Sequence, residues 1–154
     1  VEQAVGRVVG SLCVVTARQE DVSSAMLADW VSQATFNPPG LTIAVAKDRA
    51  IEPLLYPGSA FVLNILAEGR HLPLMKHFLK PFGPGEDRFE GVATKSADNG
   101  VPYLEEALSY LECRVEQRMD CNDHWLVYAI VETGDVLDGS GKTAIHHRST
   151  GTHY

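Results

Sequence analysis

Residues 111–131 read LECRVEQRMDCNDHWLVYAIV, and the fold turns on this stretch. Leu111, Cys113, Val115 and Met119 alternate with Glu112, Arg114, Glu116 and Arg118, the period of a half-buried strand. Trp125 to Val131 is almost continuously apolar and predicts a central strand. Cys121-Asn122-Asp123-His124 leaves room only for a tight connection, so the two strands form a hairpin.

Working outward, Leu12–Ala17, Leu41–Ala46 and Ala60–Leu66 are β-branched or apolar runs that predict three more buried strands. In Ser23–Gln33, Met26, Ala28 and Trp30 alternate with Leu27, Asp29 and Val31, which suits a strand. Its Ala, Met and Leu content keeps a helix open as the competing reading. Asn37-Pro38-Pro39-Gly40 breaks the chain. Asp48 caps a short helix expected over Arg49–Leu55, and Pro57-Gly58 stops it. Leu72, Met75 and Leu79, with Leu74 and Phe78, predict a second short helix with Pro73 in its first turn. Lys80–Gly91 reads as a long loop and Pro102–Leu108 as a connecting stretch. No strand–helix–strand alternation and no G-x-G-x-x-G is present. The fold expected is mainly β with short inserted helices, an antiparallel barrel forming a single domain over residues 1–154.

The chain carries 13 Lys plus Arg against 20 Asp plus Glu, a formal charge of −7, and is 45 % apolar. That composition suits an ordinary globular domain and is too apolar for disorder. The acidic balance argues against nucleic acid and anionic membrane as partners, because both attract clustered Lys and Arg. No apolar run approaches the roughly 20 residues of a membrane helix, so no membrane insertion is expected. Cys13, Cys113 and Cys121 cannot all pair within one chain and show no C-x-x-C spacing, which favours reduced thiols in a reducing compartment. The chain does not begin with Met, and a module cut from a longer protein is expected.

Four places carry possible chemistry. Small and hydroxyl residues over Ser23–Gln33 would let a backbone approach a flat ligand, or are incidental to a core strand. Lys47-Asp48-Arg49 after a buried strand makes an anion site, or a solvated turn. His124 at the hairpin mouth can hydrogen-bond a redox ring, or is a plain turn histidine. The tail His146-His147-Arg148…His153 has no ligand spacing for a metal, so no metal site is expected.

These motifs occur in a recognisable order. Ser24-Ala25-Met26-Leu27-Ala28-x-Trp30-Val31-Ser32-Gln33, then Phe36-Asn37-Pro38-Pro39, then Val45-Ala46-Lys47-x-Arg49 resemble the flavin reductase family of FMN-binding split barrels. Phe61–Leu66, Asp87-Arg88-Phe89, Leu111-Glu112-Cys113 and Asp123-His124 follow in the family's order, so the likeness runs from about Gly10 to Val136. Leu74–Phe89 and the ending Ala144-x-His146-His147-Arg148…Gly151-x-His153-Tyr154 resemble, more narrowly, the C-terminal flavin reductase-like module of photosynthetic-type flavodiiron proteins.

The resemblance implies a split β-barrel that binds FMN (FAD is possible) and takes hydride from NAD(P)H. It further implies delivery of electrons to flavodoxin-like and diiron domains of the same protein, where oxygen is reduced to water. A homodimer and a cytoplasmic or chloroplast-stroma location follow from the same likeness. Carried over by position, Ser24, Ala25, Met26, Leu27, Trp30, Val31, Ser32 and Gln33 would line the flavin. Ser32, Lys47 and Arg49 would take its phosphate, and Asn64, His77 and Phe82 would close the pocket. His124 would sit on the nicotinamide side as the catalytic-site residue. Ser24 and Leu27 stand where many relatives have the Asn and Thr of Asn-Ala-Met-Thr, and Asp29 stands where Ser is common. Those departures keep a flavin-free dimerisation or docking module open as the alternative, beside a free-standing flavin reductase serving a partner.

Overall fold

The structure is a computed structural model and describes residues 1–154. Its strands are β1 (Cys13–Gln19), β2 (Val22–Ala28), β3 (Val31–Thr35), β4 (Gly40–Ala46), β5 (Ala60–Ile65), β6 (Thr94–Ser96), β7 (Pro102–Leu104), β8 (Ser109–Cys121) and β9 (His124–Val136). Helices α1 (Glu2–Val5) and α2 (Leu72–Leu79) are short. Seven strands form one antiparallel sheet in the order β2-β1-β5-β8-β9-β4-β3, and β6 pairs with β7 alone.

The two edge strands of that sheet are consecutive in the chain, joined only by Asp29 and Trp30. Laid flat, a seven-stranded sheet would separate its edges by about 29 Å, whereas three Cα–Cα steps reach about 11 Å. The sheet must therefore roll up until its edges meet, which makes the barrel. Ser23–Gln33 is thus neither one strand nor a helix. It is two strands that turn across the closure.

Cys13, Val15, Ala17, Ile43, Val45, Phe61, Leu63, Val115 and Val127 fill the barrel. On the outer side of β1, Leu12, Val14 and Ala25 pack with Leu74 and Phe78 of α2 and with Leu104. Both faces of β1 are buried, which is why Leu12–Ala17 is a continuous apolar run rather than an alternating one.

The hairpin β8–β9 forms as expected, with Cys121 opposite His124. Its faces differ from the alternation in one respect. Register shifts fall between Glu112 and Cys113 and between Val115 and Gln117. A bulge inserts an extra residue, so every side chain beyond it changes face. Met119 is consequently exposed, while the Arg118 side chain is only 7 % exposed. Arg118 donates to Glu52 at 3.0 Å, with its guanidinium 4.1 Å from the Tyr56 ring centre and 4.2 Å from that of Trp125. Glu112, expected on the open face, is buried and accepts the Asn99 N–H at 2.7 Å.

The helix expected over Arg49–Leu55 shrinks to one 3₁₀ turn, Glu52–Leu54. Pro53 lies inside it and lacks the N–H that a longer helix would use. Residues Pro102–Leu104, read as a connection, form β7. Three-residue strands are too short to show a period.

Cys13 and Cys113 are fully buried, and burial pushes both thiols up to about 12; Cys121 is exposed on the hairpin. An aromatic disulfide reagent at about pH 8 should titrate one thiol in the native protein and three in denaturant. Rapid release of two or three equivalents without denaturant would contradict the buried placement.

Candidate functional site

The closure of the barrel leaves a cavity of about 510 Å³ beside Ala25–Asp29. Alternation along β2 sends Met26 and Ala28 to the barrel core and Ala25 and Leu27 towards α2. The opposite wall is apolar and comes from Met75, Phe78 and Leu79 of α2, continued by Pro81 and Phe82. The sequence folds this way because α2 carries Leu74 and Phe78 on one buried face, which docks it on β1 and β2. His77 then latches the following loop by donating from Nε2 to the Arg88 carbonyl at 2.6 Å. Arg88 in turn lies 5.0 Å from the Phe82 ring centre. Arg49, Lys80 and Arg88 also line the cavity, against the carboxylates Asp29 and Asp48.

The strand crossing itself needs a close approach by the N-terminal segment. A Cβ on Gly10 would lie 2.0 Å from the Asp29 carbonyl oxygen, so only glycine fits there. The crossing delivers Trp30 to one end of the cavity. Its ring centre lies 4.9 Å from that of His124 and 5.0 Å from that of Tyr154. The Arg49 guanidinium sits 5.1 Å from the Tyr154 ring centre, and Arg148 sits 5.1 Å from that of Trp30.

His124 is oriented on both sides. Its Nδ1 lies 2.8 Å from the Asp123 carboxylate, which can only accept, so in the neutral ring Nδ1 carries the proton. Nε2 is then the acceptor for the Tyr154 hydroxyl. The same hydrogen bond to His124 holds the Asp123 carboxyl below its ordinary range. Burial pushes the Tyr154 phenol up, against the opposing pull of Arg49. The Trp30 Nε1–H is buried and has no partner.

Of the residues singled out by sequence, Ala25, Met26, Leu27, Arg49 and Phe82 line the cavity, with Trp30, His124 and His77 adjoining it. Ser24 is buried, and its hydroxyl has no partner. Val31, Ser32 and Gln33 lie beyond the crossing and line a separate groove of about 260 Å³ with Pro39 and Leu41. The Ser32 hydroxyl donates to the Gln33 carbonyl. Lys47 turns to the hairpin tip, donating to Asp120 at 2.6 Å and lying 4.7 Å from the Trp125 ring centre. That bond lowers the Asp120 carboxyl. The structure therefore does not assemble Ser32, Lys47 and Arg49 into one anion site. Asn64 does not close the pocket either. It is fully buried, donates to the Val14 carbonyl at 3.0 Å and Thr16 Oγ1 at 3.2 Å, and accepts the Leu104 N–H at 2.8 Å.

Sequence reasoning missed Tyr154, Arg88, Met75 and Phe78 as site residues. The apolar spacing that predicts α2 could have pointed to Met75 and Phe78. Tyr154 reaches Trp30 across more than a hundred residues of chain, and no local pattern announces that.

The model of the family described as "Flavin reductase like domain" matches residues 5–152. A Nostoc sp. protein named as a diflavin flavoprotein (A 6) is 69 % identical over the whole chain, which spans 27 % of that protein. A Synechocystis sp. protein named as a diflavin flavoprotein (A 3) is 67 % identical over 99 % of the chain, which spans 26 % of it. The chain thus covers about a quarter of the length of these curated relatives. The solved structure of a Streptomyces globisporus NADH:FAD oxidoreductase in complex with NAD and FAD fragments superposes with a TM-score of 0.82 at 22 % identity. The match covers 94 % of this chain and 85 % of that one. At that identity it shows the split-barrel fold.

The placement of Asn64 makes a prediction. Asn64→Ala leaves the buried Leu104 N–H without its acceptor and removes the amide's bonds to the Val14 carbonyl and Thr16 Oγ1, and should cost about 1–3 kcal/mol of unfolding free energy. Denaturant titration checks it, and a loss under about 0.5 kcal/mol would contradict the structural role given to this side chain.

Proposed function

Because this chain belongs to the flavin reductase-like domain family, we propose that the cavity beside β2 holds FMN, with FAD also admissible, and that NAD(P)H is the hydride donor. The observation that carries this reading is the cavity itself. It is lined by the Ala25–Asp29 stretch, has two apolar walls, and is flanked by Arg49, Lys80 and Arg88. A flat apolar ring system bearing a phosphate fits those walls and those charges. The partnerless Trp30 Nε1–H at its end offers a donor to a ring edge. When bound, the flavin supplies the hydride-accepting chemistry.

The chain's residues orient and shield. Ala25 and Leu27 present one wall, and Met75, Phe78 and Phe82 exclude water from the other. Arg49 balances a phosphate and offsets Asp29 and Asp48. His124, fixed by Asp123, offers Nε2 on the nicotinamide side. Ser24, Val31, Ser32, Gln33 and Lys47 have no direct part in this arrangement. In the longer relatives the module would pass electrons to flavodoxin-like and diiron domains for reduction of oxygen to water. Homodimerisation and a cytoplasmic location belong to the same proposal. The buried carboxylate Asp29 on the cavity wall favours the second reading, a weakly flavin-holding docking module.

Titration of the chain with FMN and with riboflavin, followed by flavin fluorescence, separates these. FMN should bind, and Arg49→Gln should weaken FMN roughly tenfold while leaving riboflavin unchanged. Lys47→Gln should change neither. Failure of FMN and FAD to bind at high micromolar concentration would leave the docking reading.

A further inference from the structure

We propose that Tyr154 is an internal competitor of the nicotinamide ring, an aromatic side chain packed on Trp30 that must leave its seat before the hydride donor can occupy it. The proposal rests on the flavin and nicotinamide reading above, and the observations behind it are the contacts of one side chain.

The Tyr154 ring satisfies the groups that would receive a nicotinamide. It packs at a 40° tilt with its centre 5.0 Å from that of the Trp30 ring, and has the Arg49 guanidinium 5.1 Å away. Its hydroxyl donates to His124 Nε2, the acceptor left free once Nδ1 is committed to Asp123. A nicotinamide is likewise a flat ring with an N–H donor at its edge. It needs a stacking face and an acceptor, and here Tyr154 holds both. Tyr154 also lines the cavity wall, so the seat opens onto the flavin space rather than onto an unrelated surface.

The attachment is suited to reversible release. The tail is tethered firmly further back, where the Leu12 N–H donates to the Ala144 carbonyl at 2.8 Å and the Gly151 N–H donates to the Glu2 carbonyl at 2.7 Å. Arg148 lies over Trp30 and reaches the Val8 carbonyl at 3.4 Å and the His153 carbonyl at 3.5 Å. Beyond Gly151 no main-chain N–H donates to another main-chain carbonyl. The Tyr154 side chain and the Arg148 bond to the His153 carbonyl therefore hold residues 152–154 to the site, and Tyr154 remains 47 % exposed. Releasing it gives up the tilted contact with Trp30, the Arg49 contact and one hydrogen bond while Gly151 and Ala144 stay anchored. A ligand that gains the same contacts displaces it by mass action.

The test compares the wild-type chain with Tyr154→Ala and Tyr154→Phe. Tyr154 is half exposed and belongs to none of the buried core clusters, so both variants should fold. Acrylamide quenching of tryptophan fluorescence should rise in Tyr154→Ala, because the Trp30 face is uncovered while Trp125 stays between Arg118 and Lys47. Calorimetric titration with oxidised NAD and NADP, which cannot turn over, should show binding about 3- to 10-fold tighter in Tyr154→Ala. Tyr154→Phe, which keeps the ring contact and loses the hydrogen bond, should fall between. Equal or weaker nicotinamide binding in Tyr154→Ala would overturn the competitor role and leave the flavin reading intact. Unchanged quenching would overturn it as well, by showing that the ring does not cover Trp30. If neither protein binds nicotinamide dinucleotide or FMN, the functional reading fails with it.

Discussion

The constraint on which the rest depends is the two-residue link between β2 and β3. These strands stand at opposite edges of a seven-stranded sheet, yet only Asp29 and Trp30 separate them in the chain. Short connections are common, but one that spans a whole sheet forces closure. Barrel formation removes exposed edges and buries the inward faces of β1, β4, β5, β8 and β9 together. It also fixes what the open corner contains. Asp29 is held against Gly10, Trp30 is turned out towards His124, and the gap between β2 and α2 becomes the cavity.

Charge is organised around that corner rather than spread evenly. The chain carries −7 overall. Arg49, Lys80 and Arg88 nonetheless converge on one cavity, and Arg148 lies close by over Trp30. Lys47 is only two residues from Arg49 and is neutralised by Asp120 at the hairpin tip. A net charge therefore says little about a local site, and two neighbouring cations can serve unrelated purposes. Arg118 illustrates the same point. Its pairing with Glu52 between Tyr56 and Trp125 is part of the packing of β8 and β9 against the 3₁₀ turn.

Much of the fold was legible in sequence because its strands are long or apolar enough to show a period. The hairpin of β8 and β9, the runs of β1, β4 and β5, and the Leu74–Phe78 face of α2 are examples. What was illegible has physical causes. A bulge near Glu116 leaves no mark on the alternation, yet it exchanges Met119 and Arg118 between faces. The site divides in the same way. Ala25, Met26 and Leu27 were identifiable from small and apolar residues beside a strand. Ser32 and Gln33 look equivalent in sequence, but the crossing at Asp29–Trp30 puts them on another groove. Asn64 resembles a pocket residue until its amide is seen to satisfy three buried partners. Tyr154 is a tertiary contact without a local signal.

The central claim is that the space between β2 and α2 holds the flavin. Amide hydrogen exchange with and without saturating FMN tests it most directly, because it locates the ligand on the backbone. The account predicts added protection at residues 25–29, 48–51 and 78–82. Protection confined to residues 31–33 and 39–41, or none above the unliganded protein, would contradict it.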